Sequence, residues 1–261
     1  YLFKNAGTEI LHKYRYLYFV VMFTVSNVTI VCIIMIHKNL HEPMYIFIGA
    51  LLINSVLFST VIYPKLLIDF LSEKPIISYP ACLCQWFSYN WLASSDFFLL
   101  SIMAYDRYVS ICNPLQYTTS CKKQLLTFSC FPLGFCLLVY FQILNIYGLF
   151  LFVIFVILPV LFIIFTYSRI LVVSYRCRGV RRRAAQTCLP HLLVLINFTC
   201  FFAYDVLLAR LELNSSKVVS LIMALQVVIY HPLFNPIIYG LKMRRIFDHL
   251  KKLFCRMVRC L

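Results

Sequence analysis

Seven times along this chain, a run of roughly twenty or more apolar residues passes with almost no charge, at about 16–36, 44–68, 82–106, 124–144, 146–170, 184–209 and 218–241. A helix rises about 1.5 Å per residue and the hydrocarbon layer of a bilayer is about 30 Å thick, so each run has the length of a membrane-crossing helix. Residues are 62% hydrophobic and only 13% charged. A water-soluble core has too little volume to hide so many apolar side chains, whereas lipid solvates them. The expected fold class is an all-α membrane protein: a seven-transmembrane helix bundle over 1–243, with a C-terminal amphipathic helix and tail over 244–261.

The net charge of +15 is distributed as a membrane protein requires and not as a nucleic-acid binder. Basic residues cluster in short segments between spans. With the N-terminus outside, Lys38, Arg107, Lys122, Lys123, Arg169, Arg176, Arg178, Arg181, Arg182, Arg183 and all basic residues from Lys242 onward lie inside. Only Lys4, Lys13, Arg15, Lys65, Lys74, Arg210 and Lys217 remain outside. This asymmetry predicts a multi-pass plasma-membrane protein with an external N-terminus. The chain opens without an initiating Met and Tyr1 to His12 is no secretory signal, so a trimmed N-terminus is expected.

After the last span, Ile246, Phe247, Leu250, Leu253 and Phe254 share one helical face, with Arg245, Lys251, Lys252 and Arg256 on much of the rest. That pattern predicts a helix lying on the inner leaflet, with Cys255 and Cys260 as candidate acylation sites. Most of the twelve cysteines fall in apolar spans and no CxxC pair occurs, so neither a zinc site nor another metal or cofactor is expected. Paired carboxylates, a nucleophile–base set and a phosphate loop are all missing from the sequence, and no enzyme is implied.

Several motifs recur in fixed order. They are Ser26-Asn27, Pro43-Met44-Tyr45, the run from Met103-Ala104-Tyr105-Asp106-Arg107-Tyr108 to Leu115, Thr166-Tyr167, Thr187-Cys188-Leu189-Pro190-His191 and Asn235-Pro236-Ile237-Ile238-Tyr239. Together they resemble the odorant receptors, a family of rhodopsin-like G-protein-coupled receptors. The wording around Pro43 and Tyr63-Pro64-Lys65 looks more like the fish-type (class I) branch. The resemblance implies an odorant in the outer half of the bundle and a heterotrimeric G protein of the olfactory, cyclic-AMP-raising type on the inside. It covers nearly the whole chain except the connection between Phe141 and Gly148, which leaves hardly any room for the long second outer loop of such receptors. Residues missing from the sequence as given are the expected cause.

The resemblance assigns roles residue by residue. Arg107 pairs with Asp106 at rest, beside Tyr108, and meets the G protein when active; the bland alternative is an arginine that only anchors at the interface. Asn235-Pro236 lets the last span bend so that Tyr239 moves toward Tyr167 and Arg107, or is a static kink. Asp96 is the carboxylate deepest in a span, and the span-two position that would partner it holds Asn54-Ser55. A sodium site and a hydrogen-bonded structural acid both remain open. Cys82 stands where such receptors tie span three to the absent outer loop, so its disulfide partner is not in the chain. For Cys188 and His191, one turn apart, a switch or packing role is favoured over metal binding. Asn214-Ser215-Ser216 is a glycosylation sequon.

Helical spacing gathers Trp86, Tyr89, Asn90, Ala93 and Ser94 on span three, and Thr199, Phe202, Ala203, Val206 and Arg210 on span six. These are the expected ligand-binding residues. Arg210 tops the span-six series, so the site suits a small molecule with an apolar body and a carboxylate, unless Arg210 pairs with Glu212. A non-odorant receptor of the same class is the alternative, and a transporter a more distant one.

Overall fold

The computed structural model of the chain describes residues 2–72, 76–112, 157–176, 192, 194, 196, 235–240 and 243–260. Every regular element among the described residues is helical: α1 (Leu2–Ile36), α2 (Pro43–Leu71), α3 (Tyr79–Cys112), α4 (Leu158–Arg176) and α5 (Arg244–Cys260). A short 3-10 turn, Lys38–Leu40, joins α1 to α2, and residues 235–240 are helical. The expected fourth span lies outside the described residues, as does the sixth except for helical residues 192, 194 and 196.

The helices outrun the apolar runs that announced them. α1 begins well before residue 16, and α3 continues six residues past Asp106. Hydropathy marks where lipid ends, whereas a helix continues until its backbone bonding is interrupted. Asp106 and Arg107 therefore sit inside α3, not at its end. α2 starts on Pro43, whose fixed φ and missing N–H cost nothing at a first helical position. Pro64 lies within α2 and deprives one carbonyl of its partner. Pro43–Asp69 forms a 27-residue apolar stretch of mean hydropathy 2.1, long enough to cross a membrane; Val20–Ile36 and Val160–Val173 are shorter apolar helical stretches.

The exposed faces of these helices are as apolar as the buried ones. On α1, Phe23, Asn27, Ile30, Ile33 and Ile34 are buried, while Val21, Val25 and Val28 are exposed. On α2, Leu51, Leu52, Ser55, Phe58 and Ser59 are buried and Ile53 and Leu57 are exposed. A sheath of exposed Val, Ile and Leu costs free energy in water and none in hydrocarbon.

Two compact units can be described. The first comprises residues 1–41, 48–93 and 201–261. Within it, Ile34 of α1 lies beside Gly49 of α2, while Val20 and Thr24 share a groove with Ser59, Tyr63, Pro64 and Leu67. Rising numbers on one helix meet falling numbers on the other, so α1 and α2 are antiparallel. The same holds for α2 and α3: Asn54 meets Leu92, Phe58 meets Tyr89 and Val61 meets Gln85. Gly240 fits under α1 and α5, since a Cβ there would stand 3.4 Å from both Ile30 Cδ1 and Leu250 Cδ1. An alanine fills that space in ordinary contact, whereas a branched side chain has no room. We expect Gly240→Ala to be tolerated, and Gly240→Val to destabilise the fold by about 1–3 kcal/mol, read as a lowered unfolding temperature in detergent.

The second unit comprises residues 42–47 and 94–200. Here the C-terminal part of α3 is buried nearly all round, with Asp96, Phe97, Leu99, Leu100, Met103, Ala104, Asp106 and Val109 all inaccessible. A helix without a solvated face is the central element of a bundle. The Tyr105 ring stacks on Phe162 of α4, with centroids 6.2 Å apart, and one heptad further along both helices the Arg169 charge acts on Cys112. Both numbers rise together, so α3 and α4 run parallel.

Candidate functional site

The motif arginine is built into the C-terminal third of α3. Arg107 Nε donates to Asp106 Oδ2 at 3.0 Å, and Arg107 Nη2 donates to the same oxygen. The Asp106 side chain is 0% exposed and that of Arg107 13%. Adjacent residues on a helix point about 100° apart, so the guanidinium folds back along the helix surface to reach the acid. A buried carboxylate needs this compensation, because its charge has left water. The Arg107 side chain, unlike that of Asp106, keeps part of its surface accessible.

Around the pair, Tyr108 is half-buried and its ring lies 6.4 Å from that of Tyr105. Tyr167 on α4 is 6% exposed. Thr166, its neighbour, turns its hydroxyl back to Ile163 O at 2.8 Å. Asp106, Arg107, Tyr108 and Tyr167 thus all belong to one unit. Cys112, on the last turn of α3, was not singled out by sequence. Its thiol is pushed above the ordinary value by partial burial, against the opposing pull of Arg169.

A second polar cluster occupies the other unit. Asn54 Nδ2 donates to Leu92 O at 2.8 Å, crossing from α2 to α3. Its neighbour Ser55 points elsewhere: Asn235 Nδ2 donates to Ser55 Oγ at 2.7 Å, and that hydroxyl donates to Leu51 O at 3.1 Å. Two adjacent α2 residues therefore tie α2 to α3 and to the 235–240 helix. Pro236 and Tyr239 are buried, Tyr239 completely. Asp96 is 1% exposed and lies in the unit that holds Arg107. Asn27, next to Ser26, donates to Phe23 O at 2.8 Å. This ties the amide nitrogen to its own helix.

The expected ligand-binding residues on α3 have mixed surroundings. Ala93 is buried, Trp86 is half exposed, and Tyr89, Asn90 and Ser94 are intermediate. Tyr89 stacks on Phe58 of α2 at 5.4 Å, and Asn90 Nδ2 donates to Trp86 O at 2.7 Å. Thr199, Phe202, Ala203, Val206, Arg210, His191, Cys188 and Asn214 lie outside the described residues. Cys82 and Cys84 are exposed thiols near the start of α3. At the C-terminal end of α2, Lys65 pairs with Asp69 and also donates to Ile76 O at 3.1 Å, a tie that sequence did not suggest. The i, i+4 spacing of Lys65 and Asp69 was its only signal.

A family model described as olfactory receptor matches residues 14–139 and 135–257, almost the full length of the chain. The chain belongs to the olfactory receptor family. Human olfactory receptor 10K1 is 31% identical over 294 aligned positions, covering 92% of this chain and 90% of the relative. Mouse olfactory receptor 5P51 is 30% identical over 300 positions, covering 98% and 94%. Mouse olfactory receptor 8B8 reaches 42% identity over 125 positions, which is 47% of this chain and 40% of that protein. These relatives are mammalian, and the fish-type affiliation finds no support in them. The 300 positions aligned with 5P51 exceed the 261 residues of this receptor, so the relative carries residues that this chain does not. The two family matches meet at 135–139, close to the cramped Phe141–Gly148 connection. Membership makes the chain a multi-pass, odorant-binding membrane receptor that transduces a signal.

Proposed function

We propose that this receptor crosses the plasma membrane seven times with its N-terminus outside, binds a small odorant in the outer half of the bundle and activates an olfactory Gs-type protein that raises cyclic AMP. The observation that carries the inner half of this reading is the Arg107–Asp106 pair: a fully buried acid holds an arginine whose side chain stays partly accessible. Ligand binding outside favours a conformation in which Arg107 leaves Asp106 for the G protein, coupling two sites through one equilibrium. The parallel packing of α3 and α4 supports a return crossing by 124–144. Exposed Phe247, Leu253 and Phe254 beside exposed Lys251 and Lys252 support α5 as a helix seated on the inner leaflet.

Trp86, Tyr89, Asn90, Ala93 and Ser94 form one wall of the odorant site. Thr199, Phe202, Ala203, Val206 and Arg210 form the other, with Arg210 meeting a ligand carboxylate. A charge-assisted hydrogen bond is worth about 1.5–3 kcal/mol. Arg210→Ala is therefore expected to weaken the response to carboxylate odorants by about tenfold to a hundredfold and to leave neutral odorants nearly unaffected. Equal loss for both classes would place Arg210 in folding instead of recognition. The whole reading is tested by screening acids, alcohols, amines and amino acids for cyclic-AMP responses in cells, with transmembrane current recorded in parallel. A ligand-gated current without cyclic AMP would overturn it.

A further inference from the structure

Two histidines join α5 to the end of α1. α5 is rooted by Met243 and Ile246, both buried, and by Leu250 over Gly240. Beyond Leu250, residues 251–255 are exposed. Beside this root stands His249, its imidazole centroid 4.0 Å from that of His37 and the rings tilted by 42°. His37 follows α1 directly and still donates its backbone N–H to Ile33 O at 3.2 Å. It therefore continues the α1 face that carries Ile30 and Ile33, the same face that packs on Gly240. His41, by contrast, is occupied elsewhere: its Nε2 donates to Met35 O at 3.1 Å.

We infer that the His37–His249 pair is a pH-responsive clasp that holds α5 against the end of α1 when both rings are neutral, and releases it when both are charged. Two neutral imidazoles stack favourably at this separation, whereas two imidazolium rings repel, so the second proton is taken up only as the rings part. The charged and titratable groups that act on His249 are His37 from α1, and Lys252 and Asp248 from α5 itself. Partial burial, then His37 and Lys252, hold the His249 imidazole below its ordinary value of 6.5, with Asp248 opposing. The sign follows: a depressed histidine favours the neutral, closed contact, which is complete above pH 6.5 and lost as the pH falls below it. The inference rests on the proposed topology only for the compartment sensed, which is the cytosol.

The test is hydrogen–deuterium exchange of the full receptor in phosphatidylcholine nanodiscs, where both faces meet the same buffer and the headgroup does not titrate. Corrected for intrinsic exchange, amide protection across residues 244–254 is expected to fall several-fold between pH 7.5 and 5.5. His249→Phe keeps a ring without a proton and is expected to hold protection constant across that range. In carbon-13 spectra of labelled histidines, where the His249 signal is identified by its loss in His249→Phe, His37→Gln is expected to raise the pH at which His249 titrates. Constant protection in the parent, an equal fall in His249→Phe, or an unmoved His249 titration in His37→Gln would each overturn the clasp. None of these readouts depends on odorant or G protein, so failure here is distinct from failure of the odorant-receptor reading.

Discussion

Arg107→Ala is expected to abolish odorant-driven cyclic-AMP production while the receptor still reaches the cell surface, as measured by surface antibody labelling alongside the signalling assay. The physical ground is the one-sided solvation of the pair. Asp106 is fully buried and takes both contacts from Arg107 on a single oxygen. Removing the guanidinium takes these charge-assisted contacts from a buried carboxylate, and breaking a fully buried ion pair costs about 3–5 kcal/mol. The partial exposure of Arg107 lowers that penalty, because water reaches the site. Arg107→Lys should recover folding but not signalling, since an ammonium lacks the two-pronged fork that grips one acceptor while meeting another. Asp106→Asn acts in the opposite direction: it frees the guanidinium and should raise basal cyclic AMP. Signalling by Arg107→Ala at the parental level would remove the assignment.

The second large effect is expected at the Asn54–Ser55 step. Asn54→Ala removes the side-chain bond from α2 to α3, and Asn235→Ala removes the bond from the 235–240 helix to α2. Interhelical hydrogen bonds within membranes contribute about 0.6–2 kcal/mol each, so each variant should lower the unfolding temperature of the purified receptor measurably. Because Asn54 and Ser55 are neighbours on one helix, the double variant should depart from the sum of the two losses. Asn235→Ala carries an additional consequence for signalling, since Pro236 and Tyr239 follow it in the same short helix. An unchanged melting temperature for both single variants would show that these bonds do not hold the helices together.

Much of this molecule could be read from composition and order alone. Nine acidic residues in 261 and long uncharged runs leave lipid as the solvent, because no other medium covers so much apolar surface. The Met103–Leu115 wording and the Asn235–Tyr239 motif pointed to the olfactory family, which the family match establishes. The buried positions of Asp96, Asn54 and Ser55 were legible for the same reason: a polar side chain in an apolar helix turns inward. Helix ends were not legible. α3 runs to Cys112 because its backbone bonding continues beyond the hydrocarbon boundary that sequence detects.

Pairings across the chain belong to tertiary structure. Hydropathy has no register, so nothing in it says that Asn54 meets Leu92 while the adjacent Ser55 meets Asn235. His37 and His249 carry no local signal of each other at all; only the packing of Ile30, Gly240 and Leu250 brings their rings together. Sequence by itself determined the solvent, the helices and the kinds of side chain that must hide, since these depend on transfer free energies of single residues. Which hidden group faces which was decided by how the helices pack, because contact between distant residues depends on the relative rotation and height of whole helices.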